Sequence, residues 1–336
     1  MKTPIIFIHY GDSPYLKYTV EFAKKSNPDK QIVFLGDEEN KYLENFGAHH
    51  VMISDYLSSP EIDKFHEVFK IIGPDGYKIS GKDNGKSKDD TGVFWTKFVF
   101  LKMFVFYNYA LKNGINKFWT FDTDNFIVTD LVPFESLFID LDNTEQNLGN
   151  SMHGIINNLE VLKGYIEMIN ELFEDESFLD SVKESLLNAP KHHAYTEMWA
   201  YNEYKKRKTI KTIHLNGVFN NSTFDDKLCF PDGMETVACH FKGMPVIKKI
   251  YYDNLGLFYF KKEHEEVYLK VNVFDFSWLP SICMDQFYKL AVSLPNQNLQ
   301  NKYNEVVFKE TLDYKIMRLP NFFRNVVEYK LKKIFK

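Results

Sequence analysis

Residues 117–128 read KFWTFDTDNFIV, an apolar, aromatic run that leads into Asp122-Thr123-Asp124. The run is typical of a buried β-strand, and the D-x-D motif stands where the strand gives way to a loop. Side chains two positions apart on an extended chain point the same way, so both carboxylates are within reach of one cation. Without a cation or a shared proton they would repel and raise each other's pKa. The stretch predicts a divalent-ion site at a strand end; the alternative is a turn with solvated carboxylates.

Three strand-like runs alternate with two helical patterns before the D-x-D. In chain order these elements cover residues 5–9, 15–26, 31–35, 38–46 and 50–53. The β-α-β-α-β order predicts a parallel sheet with crossover helices, the Rossmann-like arrangement of many nucleotide-binding proteins. The fold class is therefore α/β, with a mostly parallel central sheet flanked by helices.

Ligands of such sheets bind beyond the carboxyl ends of the strands. The sequence places His9, Tyr10, Gly11 and Asp37 at those ends, and we predict that they contact a nucleotide. No G-x-G-x-x-G follows the first strand, which disfavours a dehydrogenase-type dinucleotide site.

The composition is that of a globular protein. With 336 residues, 44% of them hydrophobic and 26% charged, the chain can form one large α/β domain or two modest ones. A net charge of −5 gives no indication of nucleic-acid binding. Three cysteines without C-x-x-C spacing argue for a reducing compartment. No run approaches the roughly 20 apolar residues that span a bilayer, so the predicted location is the cytoplasm.

The D-x-D segment resembles that of GT-A-fold, nucleotide-sugar-dependent glycosyltransferases, and three other segments have matching positions. Residues 95–98 (WTKF) lie where that family carries a basic residue contacting the donor. Residues 196–202 (TEMWAYN) resemble its D-Q-x-x-x-N helix start near the transferred sugar. Residues 238–243 (ACHFKG) resemble the H-F-x-G segment that supplies a third metal ligand. Over about residues 4–245 the closest similarity is to bacterial family 8-like enzymes that build lipopolysaccharide or capsule.

The resemblance implies a metal held by Asp122, Asp124 and His240. Two carboxylates and an imidazole, completed by diphosphate oxygens, suit Mn²⁺ or Mg²⁺ better than structural zinc. The ion would act as a Lewis acid on the leaving nucleoside diphosphate, and lysines would add positive charge there. The predicted donor-binding set is His9, Tyr10, Gly11, Asp37, Lys97, Asp122, Thr123, Lys242, Gly243 and Lys248.

Glu197, at the start of a predicted helix, is the candidate catalytic residue. It is either a general base that activates an acceptor hydroxyl, which gives inversion, or an electrostatic or sugar-binding residue of a retaining enzyme. An acid at a helix N-terminus is also favourable without any function. Met198 stands where the family usually has Gln, and the lysine that follows H-x-x-G is displaced to Lys248. In the same way, Lys97 has a surface-charge alternative and His240 a structural one.

The predicted catalytic domain covers residues 1–250, with a nucleotide-sugar-binding half at 1–130 and an acceptor-side half at 131–250. Residues 251–336 are predicted to form a mostly helical C-terminal extension.

Two segments have further possible roles. Residues 319–336 have apolar side chains at helical spacing and a basic remainder, typical of a helix on an anionic membrane surface; the alternative is a terminal helix docked on its own core. Residues 73–92 are rich in Gly, Lys and Asp, and are either a lid over the donor or a surface loop.

The resemblance therefore implies a metal-dependent glycosyltransferase of the hexosyltransferase type. It would move a sugar from a nucleoside diphosphate, preferentially UDP, to a glycan or lipid-linked acceptor in bacterial surface polysaccharide synthesis, in the cytoplasm or at the inner face of the cytoplasmic membrane. Two other interpretations stay open. One is a haloacid dehalogenase-type phosphohydrolase with Asp122 as nucleophile, although three strands precede the motif here. The other is a non-catalytic nucleotide- or glycan-binding module.

Overall fold

The chain forms two compact units. The computed structural model describes residues 2–72, 91–187, 194–239, 241, 244–294, 302–311 and 314–315. The first unit is formed by Met1–Thr123 and Thr129–Gly217, and the second by Asp124–Val128 and Val218–Lys336. The predicted domain boundary at residue 250 differs from this division, and the D-x-D motif contributes one aspartate to each unit.

Strands and helices follow one another along the chain from residue 5 to residue 305. Up to residue 156 they are β1 (Ile5–Ile8), α1 (Leu16–Ser26), β2 (Ile32–Gly36), a 3-10 helix (Glu38–Phe46), β3 (His49–Met52), a 3-10 helix (Ile53–Tyr56), α2 (Pro60–Val68), α3 (Thr91–Lys112), β4 (Phe118–Thr120), β5 (Asn125–Ile127), α4 (Val132–Leu137), β6 (Asn143–Glu145) and β7 (Gly154–Ile156). After it they are α5 (Leu159–Glu174), α6 (Glu176–Leu187), α7 (Glu197–Arg207), β8 (Thr212–His214), β9 (Ser222–Thr223), β10 (Thr236–Ala238), β11 (Val246–Lys248), β12 (Tyr251–Tyr252), β13 (Phe258–Lys261), β14 (Tyr268–Val271), β15 (Val273–Asp275), α8 (Ser281–Ser293) and β16 (Asn304–Glu305).

A seven-stranded sheet with the order β3-β2-β1-β4-β7-β6-β8 organises the first unit. Its pairs are parallel except those of β7, which is antiparallel to both neighbours. The predicted α/β class with a large, mostly parallel sheet flanked by helices is thus confirmed. The chain adds β2 and β3 on one side of β1 and β4 on the other. The carboxyl ends of β1 and β4 therefore form a topological switch point, where open α/β sheets bind their ligands.

Apolar strands and α3 build the core of this unit. Every residue of β1 and β2 is buried, as expected for parallel strands covered on both faces. Helix α3 buries Phe100, Phe104 and Ala110, so its axis passes through the core. Lys102 lies on the same helix and is buried with them.

The second unit is largely β-structure. A five-stranded sheet has the order β16-β12-β13-β14-β9, and β15 pairs antiparallel with β5. Phe287 of α8 contacts the rings of Phe258 and Phe274, with centroids 4.7 and 4.9 Å apart.

The expectation of a mostly helical segment after residue 250 is not met in its described part, which holds five strands and α8. Burial alternates along β13 and β14, which is the period-2 pattern of half-buried strands. The prediction of a mostly helical segment did not take this pattern into account. The predicted basic helix at 319–336 and residues 73–90 of the predicted lid lie outside the described residues. Among the described helices, none has the length and apolar character needed to cross a bilayer.

Candidate functional site

The switch point of the first unit brings two predicted residues together. His9 directly follows β1, and its Nδ1 lies 2.9 Å from Oγ1 of Thr123, which follows β4. His9 Nε2 lies 3.1 Å from Oγ of Ser13. The Thr19 hydroxyl donates to the Thr123 carbonyl and ties α1 to the same point. These bonds fix the loops that follow β1 and β4.

Gly11 and Asp37 shape the loop after β1. Gly11 has φ +76°, which glycine adopts without strain, and its N–H donates to Oδ2 of Asp37 at 2.6 Å. The other carboxylate oxygen accepts the Glu39 N–H at 2.9 Å and caps the following 3-10 helix. Asp37 thus holds the loop in shape through both of its oxygens.

Tyr10 belongs to an exposed aromatic cluster of the first unit. Its side chain is 42% exposed, and its ring centroid lies 4.5 Å from that of Phe94 and 6.1 Å from that of Phe98. The two phenylalanines are stacked one helical turn apart on α3. The cluster stands beside the carboxyl end of β1.

Lys102 of α3 is the centre of a charged cluster. Its Nζ lies 3.1 Å from Oδ1 of Asp122 and 3.5 Å from Oε1 of Glu197. His153, directly before β7, places Nε2 3.6 Å from the same Asp122 oxygen. Lys102, Glu197 and His153 are buried, whereas the Asp122 side chain is 40% exposed. The cluster therefore meets solvent at Asp122.

The cluster shifts the pKa values of its members. Burial opposes the charge on Lys102, but the attraction of Asp122 and Glu197 outweighs it and holds the pKa of Lys102 above its ordinary value. Burial raises the pKa of Glu197; Lys102 opposes this rise and Asp122 adds to it. The two directions agree with the distances, because the ammonium lies nearer to Asp122 than to Glu197. A carboxyl group with a raised pKa is suited to proton transfer near neutral pH.

Glu197 also borders a small cavity. Its Oε2 is buried and has no hydrogen-bond partner among the described residues. The cavity has a volume of about 10 Å³, roughly the space of one water molecule. Its lining includes Lys102, His153, Tyr165, Tyr201 and Glu197. The Tyr165 hydroxyl donates to the Glu197 carbonyl at 2.6 Å, which holds the first turn of α7 in place.

Lys102 and His153 were not predicted from the sequence, which indicated Lys97 as the cation on the donor side. In the structure the Lys97 ammonium lies 5.7 Å from the ring centroid of Phe69. A signal for Lys102 was present: it interrupts the apolar run of residues 98–106, FVFLKMFVF, and a lysine in such a run needs a buried partner. For His153 the sequence carried no comparable signal.

The predicted metal set is divided. Asp124 belongs to the second unit and is partly exposed, and Asn125 Nδ2 donates to its Oδ1 at 3.3 Å. Burial raises the pKa of Asp275 well above its ordinary value, and the negative charge of Asp124 makes the second largest contribution to this rise. Carboxylate oxygens that repel each other fit a hard cation such as Mn²⁺ or Mg²⁺.

His240, Lys242 and Gly243 lie outside the described residues, and the described ones contain no group of three or more His, Cys, Asp or Glu placed for a metal. The metal set stays a prediction.

Lys248 belongs to an internal charge network of the second unit. Its Nζ donates to Asp225 at 2.7 Å, to Asp232 at 2.6 Å and to the Lys227 carbonyl at 3.1 Å. Only 2% of the residue is exposed. All three ammonium hydrogens are used within the protein, which argues against the predicted phosphate contact. Spacing from the H-x-x-G segment did not reveal that β11 turns this side chain inward.

Comparison with known proteins adds little to this geometry. The sequence matches no protein-family model and no curated protein. Among solved structures, the glycosyltransferase GlyE of Streptococcus pneumoniae TIGR4 matches with 11% identity and a TM-score of 0.30, over 66% of this chain and 47% of that chain. The match thus spans about half of that protein's solved chain. At this TM-score the similarity does not decide the fold or the activity.

Proposed function

We propose that this protein is a metal-dependent glycosyltransferase that moves a sugar from a nucleoside diphosphate, preferentially UDP, to a glycan or lipid-linked acceptor. The observation that supports it most is the Lys102–Asp122–Glu197 cluster beside the carboxyl end of β4. This is the part of a parallel sheet where nucleotides bind. The cluster joins an exposed carboxylate, a buried cation and a buried carboxyl group of raised pKa, the groups that sugar transfer from a diphosphate requires.

The donor would lie along the carboxyl ends of β1 and β4. Tyr10, with the aromatic cluster beside it, offers a ring face for the base. A Mn²⁺ or Mg²⁺ ion held by Asp122, Asp124 and His240 would neutralise the diphosphate as a Lewis acid. Lys102 is positive and rigidly placed next to Asp122, so it adds stabilisation to negative charge that develops on the leaving group.

Glu197 would exchange a proton or stabilise charge at the reacting sugar. Its raised pKa brings the carboxyl group nearer to neutral pH, where a general base or acid is most effective. The neighbouring Lys102 limits this rise, because its positive charge favours the ionised carboxylate. Both roles of the residue, as base in inversion and as electrostatic group in retention, use this same oxygen pair.

A nucleotide-sugar screen tests the proposal. The purified protein is heated with UDP-, GDP-, ADP- and CMP-sugars, with and without Mn²⁺, and each stabilising donor is assayed for release of its sugar. We expect a metal-dependent rise in melting temperature with at least one nucleoside diphosphate sugar, lost in Asp122→Asn and kept in the exposed control Asp140→Asn. Hydrolysis of p-nitrophenyl phosphate instead would indicate the phosphohydrolase, and stabilisation without turnover a binding module. No response to any donor would refute the proposal.

Tyr10→Ala should weaken binding of the nucleotide sugar by about tenfold, since an exposed aromatic ring that stacks on a base commonly contributes one to two powers of ten. Titration of the donor, followed by the change in melting temperature, measures this. Trp95→Ala is the matched control, because Trp95 lies on α3 and is 41% exposed, against 42% for Tyr10. Equal losses in both variants would show that Tyr10 has no special role in donor binding.

A further inference from the structure

Trp278 of the second unit occupies a backbone position where a large side chain is unusual. Phe276–Leu279 form a turn in which the Leu279 N–H donates to the Phe276 carbonyl at 3.0 Å. Trp278 is the third residue of this turn and has φ +70°. Glycine or asparagine normally fills such a position, since a side chain is strained there. Strain of this kind persists where the surroundings enforce it, and it is concentrated at functional sites.

The turn is anchored to the D-x-D motif through the backbone. The Phe276 N–H donates to the carbonyl of Asp124 at 3.1 Å. The Ser277 N–H donates to Oδ1 of Asp275 at 2.7 Å, and Asp275 is paired with Asn125 in the β15–β5 ladder. Two hydrogen bonds thus anchor the backbone of the turn that carries Trp278 next to the second aspartate of the motif.

The indole is packed on one side and open to solvent. Lys227 places Nζ 4.2 Å from the ring centroid, and the Phe230 ring meets it edge-on at 6.0 Å. Lys227 is only 8% exposed, whereas Trp278 is 64% exposed. The lysine therefore lies beneath the ring and fixes it by a cation–π interaction, which leaves the remaining surface of the ring for a ligand.

The surroundings of the ring select a neutral ligand. A cation already lies at the indole, which disfavours a second one. Lys227 is too buried to offer its charge to an anion. A sugar ring has C–H groups that suit the negative face of an aromatic ring and hydroxyl donors that suit a carboxylate such as the partly exposed Asp124.

We propose that Trp278, supported by Lys227, is a stacking platform for a neutral sugar ring of the acceptor. The role of this sugar as an acceptor rests on the proposed transferase function, but the platform itself is a sugar-binding site that exists without the donor. Its place beside Asp124 would bring an acceptor sugar next to the predicted metal-binding motif.

Binding of neutral saccharides in the absence of nucleotide tests the platform. The full chain is titrated with cellohexaose, chitohexaose and mannohexaose, and with UMP for comparison, by calorimetry and tryptophan fluorescence. We expect at least one hexasaccharide to bind and Trp278→Gly to weaken this binding by at least about tenfold, as for loss of an aromatic ring that stacks on its ligand. Trp278→Tyr should restore most of the affinity. Glycine adopts φ +70° freely, so Trp278→Gly should not lower the melting temperature, and a binding loss then reports the missing ring.

His264→Gly is the matched control for relief of backbone strain. His264 has φ +62° and a side chain that is 88% exposed. It should bind the hexasaccharide as the unmodified protein does. Unchanged binding in Trp278→Gly, a response to UMP alone, or no response to any hexasaccharide would overturn the platform. Saccharide binding in a protein that turns over no nucleotide sugar would keep the platform and remove the transferase, so the two failures are distinguishable.

Discussion

Lys102→Met is expected to lower sugar transfer by about a hundred- to a thousandfold, the usual scale for loss of a preorganised stabilising group at a reacting centre. Methionine keeps the length and the apolar contacts of the lysine stem inside α3. What it removes is the ammonium that lies between Asp122 and Glu197. The two carboxylates would then repel each other, which raises the pKa of Glu197 further, and Asp122 would lose its ion pair with Lys102.

The same variant should destabilise the fold. Loss of one partner from a fully buried ion pair costs about 3–5 kcal/mol, and we expect about 2–3 kcal/mol here because screening is stronger at a partly exposed partner. Lys102 has a raised pKa in the folded protein, so its contribution is fully present below the unfolded-state pKa and is lost as pH rises through the folded one. In acid the free energies of unfolding of Lys102→Met and of the unmodified protein should also become more similar, because the carboxylates that pair with Lys102 are then protonated.

Urea unfolding at pH 4, 7 and 9, together with turnover at pH 7, measures both effects. Lys112→Met is the control, since Lys112 is an exposed lysine at the end of the same helix and lies over the ring of Tyr56. It should keep its activity and most of its stability. A Lys102→Met protein that is folded and fully active would remove the cluster from the catalytic site.

The first half of the fold could be predicted because its signals are local. The apolar runs of β1 and β2 and the helical patterns between them specify strands and crossover helices without reference to distant residues. The start of α7 at Glu197 was predicted correctly for the same reason. Local pattern and tertiary structure agree in these elements.

The rest depends on contacts between distant residues. Nothing local pairs Asn125 with Asp275, yet that ladder places the second aspartate of the D-x-D in another unit. Lys102 and Glu197 are likewise far apart in sequence, and only the packing of α3 and α7 brings them together. Lys248 shows the converse, because a lysine at a plausible spacing proved to be used by Asp225 and Asp232. Spacing identifies candidates, but side-chain direction decides among them.

Glu197→Gln should raise stability at neutral pH while it lowers turnover by about 10²–10⁴-fold, the range for loss of a general acid or base. Burial raises the pKa of Glu197, so above its unfolded-state pKa the unfolded chain ionises more readily than the folded one. Ionisation of Glu197 therefore lowers the free energy of unfolding. This loss of stability is absent in acid, grows as pH rises to the folded-state pKa and is constant above it. Glutamine keeps the shape of the side chain without its charge, so the increase in stability of Glu197→Gln should be larger at pH 7 than at pH 4.

Glu203→Gln on the same helix is the control of opposite sign. Arg207 and Lys206 bind the Glu203 carboxylate, and although burial opposes them, their hydrogen bonds hold its pKa below the ordinary value. The contribution of Glu203 to stability is present above the unfolded-state pKa and is lost as pH falls. The variant should therefore lose up to about 1 kcal/mol of stability at pH 7, as for an ion pair whose cations are exposed to solvent, and remain active. A variant of Glu197 that is more stable yet inactive would show that the buried carboxyl is kept at a cost to the fold, as expected of a group selected for chemistry. Loss of stability in Glu197→Gln would instead make the residue a structural partner of Lys102.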